Sequence, residues 1–128
     1  MRMYGASTIL AAAVLAGCSS MAPAPDTPTR TVDGTLIGPS GMTLYTFARD
    51  TPDSGKSVCN AQCATNWPPL MAPEAAKPMG GYTVITRDDG KKQWAYKGMP
   101  LYYWAKDMKT GDRTGDGMLN GAWKTARP

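Results

Sequence analysis

The chain contains no histidine among its 128 residues. Histidine is the commonest general base near neutral pH and the commonest metal ligand, so its absence excludes Ser–His and Cys–His nucleophilic catalysis. The sequence also has a single glutamate, Glu74, and nine aspartates that lie mostly in turn positions. Turn aspartates usually bond to their own backbone. We find no catalytic constellation and predict that the protein is not an enzyme and uses no cofactor.

Clusters of basic residues are also missing. The 14 Lys and Arg exceed the 10 acidic residues and give a net charge of +4, but Lys91 and Lys92 form the only adjacent basic pair. A nucleic-acid surface needs such clusters, so we predict no nucleic-acid partner. What the chain does have is 42% hydrophobic residues with four Trp and six Tyr, which indicates a folded domain.

The N-terminus has the layout of a secretory signal. Arg2 precedes the apolar run Ile9–Ala16, which is too short to span a bilayer as a stable helix. The ending Leu15-Ala16-Gly17-Cys18 resembles a bacterial lipobox, in which the cysteine is lipidated and becomes the mature N-terminus. The alternative is an ordinary signal peptide followed by a chance cysteine. We predict a signal peptide over residues 1–17 and lipidation at Cys18.

The next segment, residues 18–31, is rich in Pro, Ala, Ser and Thr and cannot bury a core. It predicts a disordered tether between the lipid and the folded domain. Ser19 follows the cysteine, which in an enterobacterial type of sorting favours the outer membrane. We therefore expect a lipid-anchored protein of the bacterial cell envelope, on the periplasmic face rather than the surface.

Two stretches carry the same pattern, G-M-x-L-Y-x-[FW]-A-[RK]-D, with an offset of 57 residues: Gly41–Asp50 and Gly98–Asp107. Self-similarity at a fixed offset indicates a duplicated structural unit. We predict one β domain over residues 32–128, with repeats at about 32–70 and 82–128 related by a pseudo-twofold axis. Asp50 and Asp107 are expected to end their strands by accepting backbone N–H bonds from the following loops.

Aromatic and β-branched residues with frequent turn signals favour an all-β fold of antiparallel strands with a small helical content. The loop Ser57–Asn66 predicts one or two helical turns with Ser57 as the N-cap, ended by Pro68. The predicted strands are 32–37, 42–48, 82–87, 93–96 and 99–105.

Cys59 and Cys63 remain as two thiols once Cys18 carries lipid. In a helical turn, positions i and i+4 lie about 6 Å apart, within the reach of a disulfide. The simplest interpretation is a structural disulfide formed in an oxidising compartment. A redox-active pair and a metal site remain as alternatives, although the C-x-x-x-C spacing differs from the redox motif C-x-x-C.

The strand aromatics Tyr45, Phe47, Tyr102 and Trp104 also allow two interpretations. Aromatic residues this dense in a small β domain usually form its core. The alternative is an exposed stripe that binds a ligand or a partner protein.

The sequence contains candidates for two kinds of metal site. Asp107, Asp112 and Asp116 are weak calcium candidates, but their spacing departs from that of an EF-hand, and an Asx-turn loop explains them first. Methionine thioethers can bind Cu(I). Packing is the simpler explanation for the methionines outside the signal, which are Met21, Met42, Met71, Met79, Met99, Met108 and Met118.

Several motifs together resemble the bacterial secreted-repeat lipoproteins, a family marked by Y-x-[FWY]-x-x-D. The matching elements are the lipobox, both tyrosine motifs, Ser57–Cys63, Trp67–Leu70, Arg87–Gly90 and Gly98–Tyr102. The resemblance implies an envelope lipoprotein with a tandem repeat, no established activity and no catalytic residues to carry over. It also brings a loose association with alkane catabolism, which no residue of this chain supports. The implied partners are the membrane, through the lipid, and an envelope protein or small ligand.

Overall fold

The computed structural model describes Gly5 and residues 27–128. The predicted lipidation site Cys18, and all of the predicted signal peptide except Gly5, lie outside the described residues, as does the tether before residue 27. Seven short strands and two helical turns follow one another along the chain: β1 Arg30–Val32, β2 Thr35–Ile37, β3 Tyr45–Phe47, α1 Gln62–Asn66, β4 Tyr82–Thr86, β5 Lys92–Tyr96, β6 Met99–Pro100, α2 Met118–Gly121 and β7 Trp123–Thr125. Within the described part of the chain, no helix has the length and apolar character needed to cross a bilayer.

The strands form three antiparallel sheets, as the sequence predicted. β1 pairs with β2, β3 with β7, and β4, β5 and β6 form a three-stranded sheet. β1 begins two residues before the predicted start of the domain, and the preceding Thr29 is buried, with its hydroxyl bonded to that of Tyr82.

The predicted strand over residues 32–37 is wrong, because the chain reverses in its middle. Asp33 and Gly34 both have positive φ, 50° and 73°, which makes them the two central residues of a tight hairpin turn between β1 and β2. Lys97 and Gly98 form the same kind of turn between β5 and β6. The strands predicted at 42–48 and 99–105 are also shorter than expected.

The two repeats exchange strands. β7, at the end of the second repeat, pairs with β3 of the first, with Phe47 opposite Trp123. In the same way, the end of the first repeat runs beside the motif strand of the second, where Tyr103 N–H donates to the Pro68 carbonyl at 2.7 Å. Each repeat therefore completes the sheet of the other.

The pseudo-twofold axis passes between Tyr45 and Tyr102, the two motif tyrosines. Tyr45 N–H donates to the Tyr102 carbonyl at 2.7 Å, and Tyr102 N–H donates back to Tyr45 at 3.0 Å. Tyr45 and Tyr102, which occupy the same position in the two motifs, are thus direct antiparallel partners. This confirms the predicted fold of two tandem repeats.

A cluster of aromatic side chains lies around this axis. Trp67 stacks on Trp123, with ring centroids 3.8 Å apart and planes 2° from parallel, and Trp123 stacks on Phe47 at 4.1 Å. The four side chains weighed as an exposed stripe, Tyr45, Phe47, Tyr102 and Trp104, are all at most 8% exposed. The ligand-surface interpretation of these residues is therefore wrong, because they form the core.

α1 is shorter than the predicted helical segment, and Ser57 is not its cap. The helix starts after Ala61, whose positive φ of 53° is not helical, and no side chain caps it. Ser57 Oγ instead accepts the N–H of Cys59 and points into the core. The helix ends at Asn66, before Pro68, as expected.

Candidate functional site: a cleft beside the disulfide loop

Each motif tyrosine is bonded to the motif aspartate of the other repeat. Tyr45 Oη donates to Asp107 Oδ2 at 2.7 Å, and Tyr102 Oη donates to Asp50 Oδ2 at 2.5 Å. All four residues are buried. The second carboxylate oxygens accept backbone N–H groups from the following loops, Val58 for Asp50 and Thr114 for Asp107. The prediction that Asp50 and Asp107 accept backbone N–H groups of the following loops is confirmed. The bonds from the tyrosines of the other repeat were not predicted.

Burial controls the ionisation of this network. Desolvation raises the pKa of Tyr45 and of Tyr102 well above the ordinary value of 10.0, and the adjacent carboxylates raise it further. Desolvation also raises the pKa of Asp50, although the bonds from Tyr102 and Val58 and the charge of Arg87 act in the opposite direction. At neutral pH, the tyrosines are donors that hold the two repeats together.

From Asp50 a chain of hydrogen bonds leads towards the surface. Tyr102 Oη also bonds Ser57 Oγ at 2.6 Å, and Ser57 Oγ accepts from Arg87 Nη1 at 3.1 Å. Arg87 is only 4% exposed, which is unusual for an arginine. This side chain therefore joins the core network to the surface around it.

The guanidinium of Arg87 is held by neutral acceptors. Nη1 also donates to Gln93 Oε1 at 2.6 Å, and Nη2 donates to the Cys59 carbonyl at 2.5 Å and to Asn60 Oδ1 at 3.3 Å. A buried charge is tolerated when its donors are satisfied. Arg87 thereby fixes the disulfide loop of the first repeat against β5 of the second.

A cleft of about 530 Å³ opens above Arg87; we call it the disulfide cleft. Its apolar wall comes from the disulfide loop, α1 and the chain after Pro68. The opposite wall is the turn between β4 and β5. The apolar lining residues are Ala61, Ala64, Pro69 and Met71, and the polar ones are Asn60, Arg87, Asp88, Asp89 and Lys91.

The two aspartates of this turn are partly occupied. Asp88 Oδ2 accepts from Asn60 Nδ2 at 3.1 Å, and Asp89 Oδ1 accepts the N–H of Lys91 at 2.9 Å. The lining therefore offers apolar contacts and hydrogen-bonding groups side by side. Such a surface suits binding of a ligand or a partner segment.

The predicted disulfide between Cys59 and Cys63 is present, with an S–S distance of 2.01 Å and Cα atoms 5.1 Å apart. Cys59 is completely buried, and Cys63 packs against the aromatic core cluster. The bond fixes the loop that forms one wall of the cleft. In the oxidised state, neither sulfur is a free metal ligand.

The three aspartates weighed as calcium ligands do not converge. Asp107 faces Tyr45 and Thr114, Asp112 Oδ2 accepts the N–H of Met108 at 2.8 Å, and Asp116 Oδ1 accepts that of Thr125 at 3.1 Å. Over residues 27–128, no group of three acidic or cysteine side chains could hold a metal ion. Aspartates of the loop 107–117 accept hydrogen bonds from backbone N–H groups, as expected for Asx turns.

Sequence reasoning gave Arg87 no role in a site and assigned Ser57 to a helix N-cap instead of to this network. The signal that could have found Arg87 is a lone arginine at the end of an alternating strand, followed by a turn, with Gln93 as a polar residue on an otherwise apolar strand. The recurrence of Tyr and Asp in both motifs is a signal that they share a role, but it does not show that the tyrosine of one repeat bonds the aspartate of the other.

Comparison with known proteins supports the duplication. The family described as a secreted repeat of unknown function matches twice, over residues 27–71 and 83–127. No curated protein and no solved structure matches the chain. The two matched segments contain the two motif tyrosines and the strands that they exchange.

Proposed function

We propose that this chain, which belongs to the family of secreted repeats of unknown function, is a lipid-anchored binding module of the bacterial cell envelope. The family description indicates an envelope or extracellular location. The finer proposal, attachment through Cys18 on the periplasmic face of the outer membrane, rests on the lipobox-like Leu15–Cys18 and on Ser19.

The observation that carries the binding role is the disulfide cleft. Both repeats contribute to it, since the loop from the first repeat is bonded to the turn of the second through Arg87. Such a cleft, built on a core of stacked aromatic rings, stays fixed without a ligand, and preorganisation favours binding. The occupant is an envelope protein or a small ligand.

Membrane attachment is tested by Cys18→Ser. The variant is expected to lose its membrane fractionation, because several acyl chains hold stably and none would remain. If Cys18→Ser still sediments with membranes, the lipoprotein proposal is wrong.

The cleft is tested by a photo-crosslinking amino acid at Met71, which is 44% exposed and lines it. Crosslinking in intact envelopes is expected to give a discrete adduct that is lost in Lys91→Glu, which removes the exposed positive charge of the turn beside Asp88 and Asp89. The matched control is the same amino acid at Met108, which is 84% exposed and does not line the disulfide cleft. An identical adduct from both positions would contradict binding at the cleft.

The alternative proposal is a redox role for Cys59 and Cys63, or copper binding by methionines together with the reduced cysteines. The observation behind this alternative is that Met71 lines the same cleft as Ala61 and Ala64, which lie close to the two cysteines in sequence. Its test is the reduction potential of the disulfide. A potential far below the glutathione range marks a structural bond, whereas a potential within that range supports redox cycling.

A further inference from the structure

The turn enclosed by the Cys59–Cys63 bond contains an alanine at a position that suits glycine. Ala61 has a φ of 53° and a ψ of −122°, and Cys63 N–H donates to the Asn60 carbonyl at 3.1 Å. These angles match the first central position of a type II′ turn over residues 60–63, where the positive φ favours Gly, Asn and Asp. A residue with a methyl side chain is strained there and persists only when its surroundings hold it in place.

Two kinds of restraint act on this turn. Hydrogen bonds hold the chain before Ala61, since Arg87 Nη2 donates to the Cys59 carbonyl and to Asn60 Oδ1, and Asn60 Nδ2 donates to Asp88. The disulfide joins the residues on the two sides of Ala61, with their Cα atoms 5.1 Å apart. The bonds to Arg87 and Asp88 end at Asn60, so the disulfide is what ties the chain after Ala61 covalently to the chain before it.

The strained residue is part of the disulfide cleft. Ala61 is exposed and shares the apolar lining of the cleft with Ala64, Pro69 and Met71. Glycine at position 61 would relieve the strain but would remove a methyl group from this lining. Strained backbone clusters at ligand-binding sites, where it contributes to preorganisation. The alanine therefore connects the geometry of the turn to the shape of the cleft.

We propose that the Cys59–Cys63 bond assembles the disulfide cleft, so that the cleft has its binding shape only in the oxidised protein. While the cysteines are thiols, Ala61 relaxes from the strained turn to an ordinary backbone conformation, and the apolar wall changes with it. Oxidation moves two electrons and two protons from the thiols to the disulfide of an exported thiol oxidase, which becomes a dithiol. The consequence for binding rests on the function proposed for the cleft, whereas the coupling between disulfide and turn does not.

The compartment and the burial of the bond make this assembly a step that follows export. Thiols are kept reduced in the cytoplasm and are oxidised outside it. Once the bond has formed, Cys59 is completely buried and Cys63 packs against the aromatic core cluster, which limits the access of a reducing thiol. The cleft is therefore absent before export and persists in the envelope, where its occupant is met.

The coupling is tested by a double-mutant cycle in the full mature chain carrying Cys18→Ser. Ala61→Gly is expected to raise the melting temperature of the disulfide-bonded protein by about 4 °C or more, because the strain is relieved. In the Cys59→Ala/Cys63→Ala background the same substitution is expected to leave the melting temperature unchanged or to lower it. There Ala61 is already relaxed, and glycine only adds conformational freedom to the unfolded chain.

A second measurement does not depend on the folding of the double-cysteine variant. In glutathione buffers, Ala61→Gly is expected to shift the equilibrium of the Cys59–Cys63 pair towards the disulfide by at least about fivefold, because coupling is reciprocal. Lys97→Gly is the matched control, since Lys97 has a φ of 49° in the β5–β6 turn, outside the disulfide loop. Its effect on melting is expected to be equal with and without the disulfide, and it should leave the glutathione equilibrium unchanged.

The inference is overturned if Ala61→Gly shifts the melting temperature equally in both backgrounds, or if it leaves the glutathione equilibrium where the parent has it. Photo-crosslinking from Met71 then separates this inference from the proposed function. The adduct of the disulfide-bonded parent is expected to be lost in Cys59→Ala/Cys63→Ala. An equal adduct in both proteins would overturn the inference and leave the proposed function intact. No adduct from the parent would contradict the proposed function, while the melting temperatures and the glutathione equilibrium still decide the coupling.

Discussion

Tyr102 donates a 2.5 Å hydrogen bond to Asp50, a residue of the other repeat. The corresponding bond in the opposite direction joins Tyr45 to Asp107. Each repeat therefore supplies the tyrosine of one of these bonds and the aspartate of the other. We expect the two bonds to be among the main polar contributions to the stability of the domain.

Tyr102→Phe leaves Asp50 buried with one oxygen unpaired. The expected loss in free energy of unfolding is about 1–3 kcal/mol, the cost of leaving a buried acceptor unsatisfied. Urea denaturation measures it. Tyr96→Phe is the matched control, because the Tyr96 hydroxyl makes no hydrogen bond to the residues that the structure describes. An equal effect of the two substitutions would contradict a stabilising role for the bond to Asp50.

The raised pKa of Asp50 predicts a dependence on acid pH. The folded protein keeps this proton at pH values where the unfolded chain, with an ordinary pKa of 3.8, has released it. The contribution of Asp50 to stability is therefore greatest below that pH and falls as the pH rises through the raised pKa.

Urea denaturation of the parent and of Asp50→Asn between about pH 3 and pH 7 tests this dependence. The stability of the parent relative to Asp50→Asn is expected to decrease as the pH rises. Asp89→Asn, in an exposed turn, controls for the loss of one charge. A relative stability that stays constant or increases with pH would show that Asp50 ionises at its ordinary pKa or below.

At alkaline pH the stability of the domain depends on the ionisation of two buried tyrosines. Because the pKa of Tyr45 and of Tyr102 is raised above 10.0, their contribution to stability is fully present below that pH and is lost as the pH rises beyond it. Their tyrosinate absorbance is expected to appear together with the loss of near-UV circular dichroism. Ionisation of either tyrosine in the folded protein, assigned by comparison with Tyr45→Phe and Tyr102→Phe, would contradict this.

The Cys59–Cys63 bond closes a short loop, so its removal is expected to cost only about 2 kcal/mol in the double variant Cys59→Ala/Cys63→Ala. Since Cys59 is buried, dithiothreitol should reduce the bond slowly unless urea is present. Thiol alkylation followed by mass spectrometry measures both states. Rapid reduction of the folded protein would instead favour the redox alternative.

Gly98 is required by the backbone around it. Its φ is 82°, and a Cβ at this position would lie 2.9 Å from the backbone nitrogen of Asp53. Gly98→Ala is expected to destabilise the domain by more than Gly90→Ala, since Gly90 has a similar φ of 84° but open space around it. Placing a side chain at a positive φ costs about 1–3 kcal/mol at either position. The difference between the two melting temperatures therefore reports only the steric clash at Gly98.

The fold was largely predictable because its information is local or periodic. The offset of 57 residues gave the duplication, and the alternation in residues 82–87 gave β4. The exchange of strands was not predictable, since a repeat pattern is the same whether each strand pairs within its own repeat or with the other. The hairpin at Asp33 and Gly34 was missed even though Asp-Gly is a turn signal, because the flanking strands have only three residues each.

The site was less predictable than the fold. Cys59 and Cys63 could be paired from their spacing. The position of Arg87 instead depends on contacts with Ser57 and Cys59 of the disulfide loop and with Gln93 of β5, two segments that are distant in sequence. The disulfide cleft arises where the β4–β5 turn of the second repeat meets the disulfide loop of the first, a junction that only the three-dimensional structure reveals.

The exchange of strands has a consequence for how such a protein can arise. A single repeat would leave its motif strand without the neighbour that the second copy supplies, so the smallest self-sufficient unit is a pair. Two identical copies could meet that requirement as a symmetric homodimer, and joining their genes would give the present connectivity. Once fused, the two loops were free to diverge independently, one gaining a disulfide and the other a series of Asp-Gly turns.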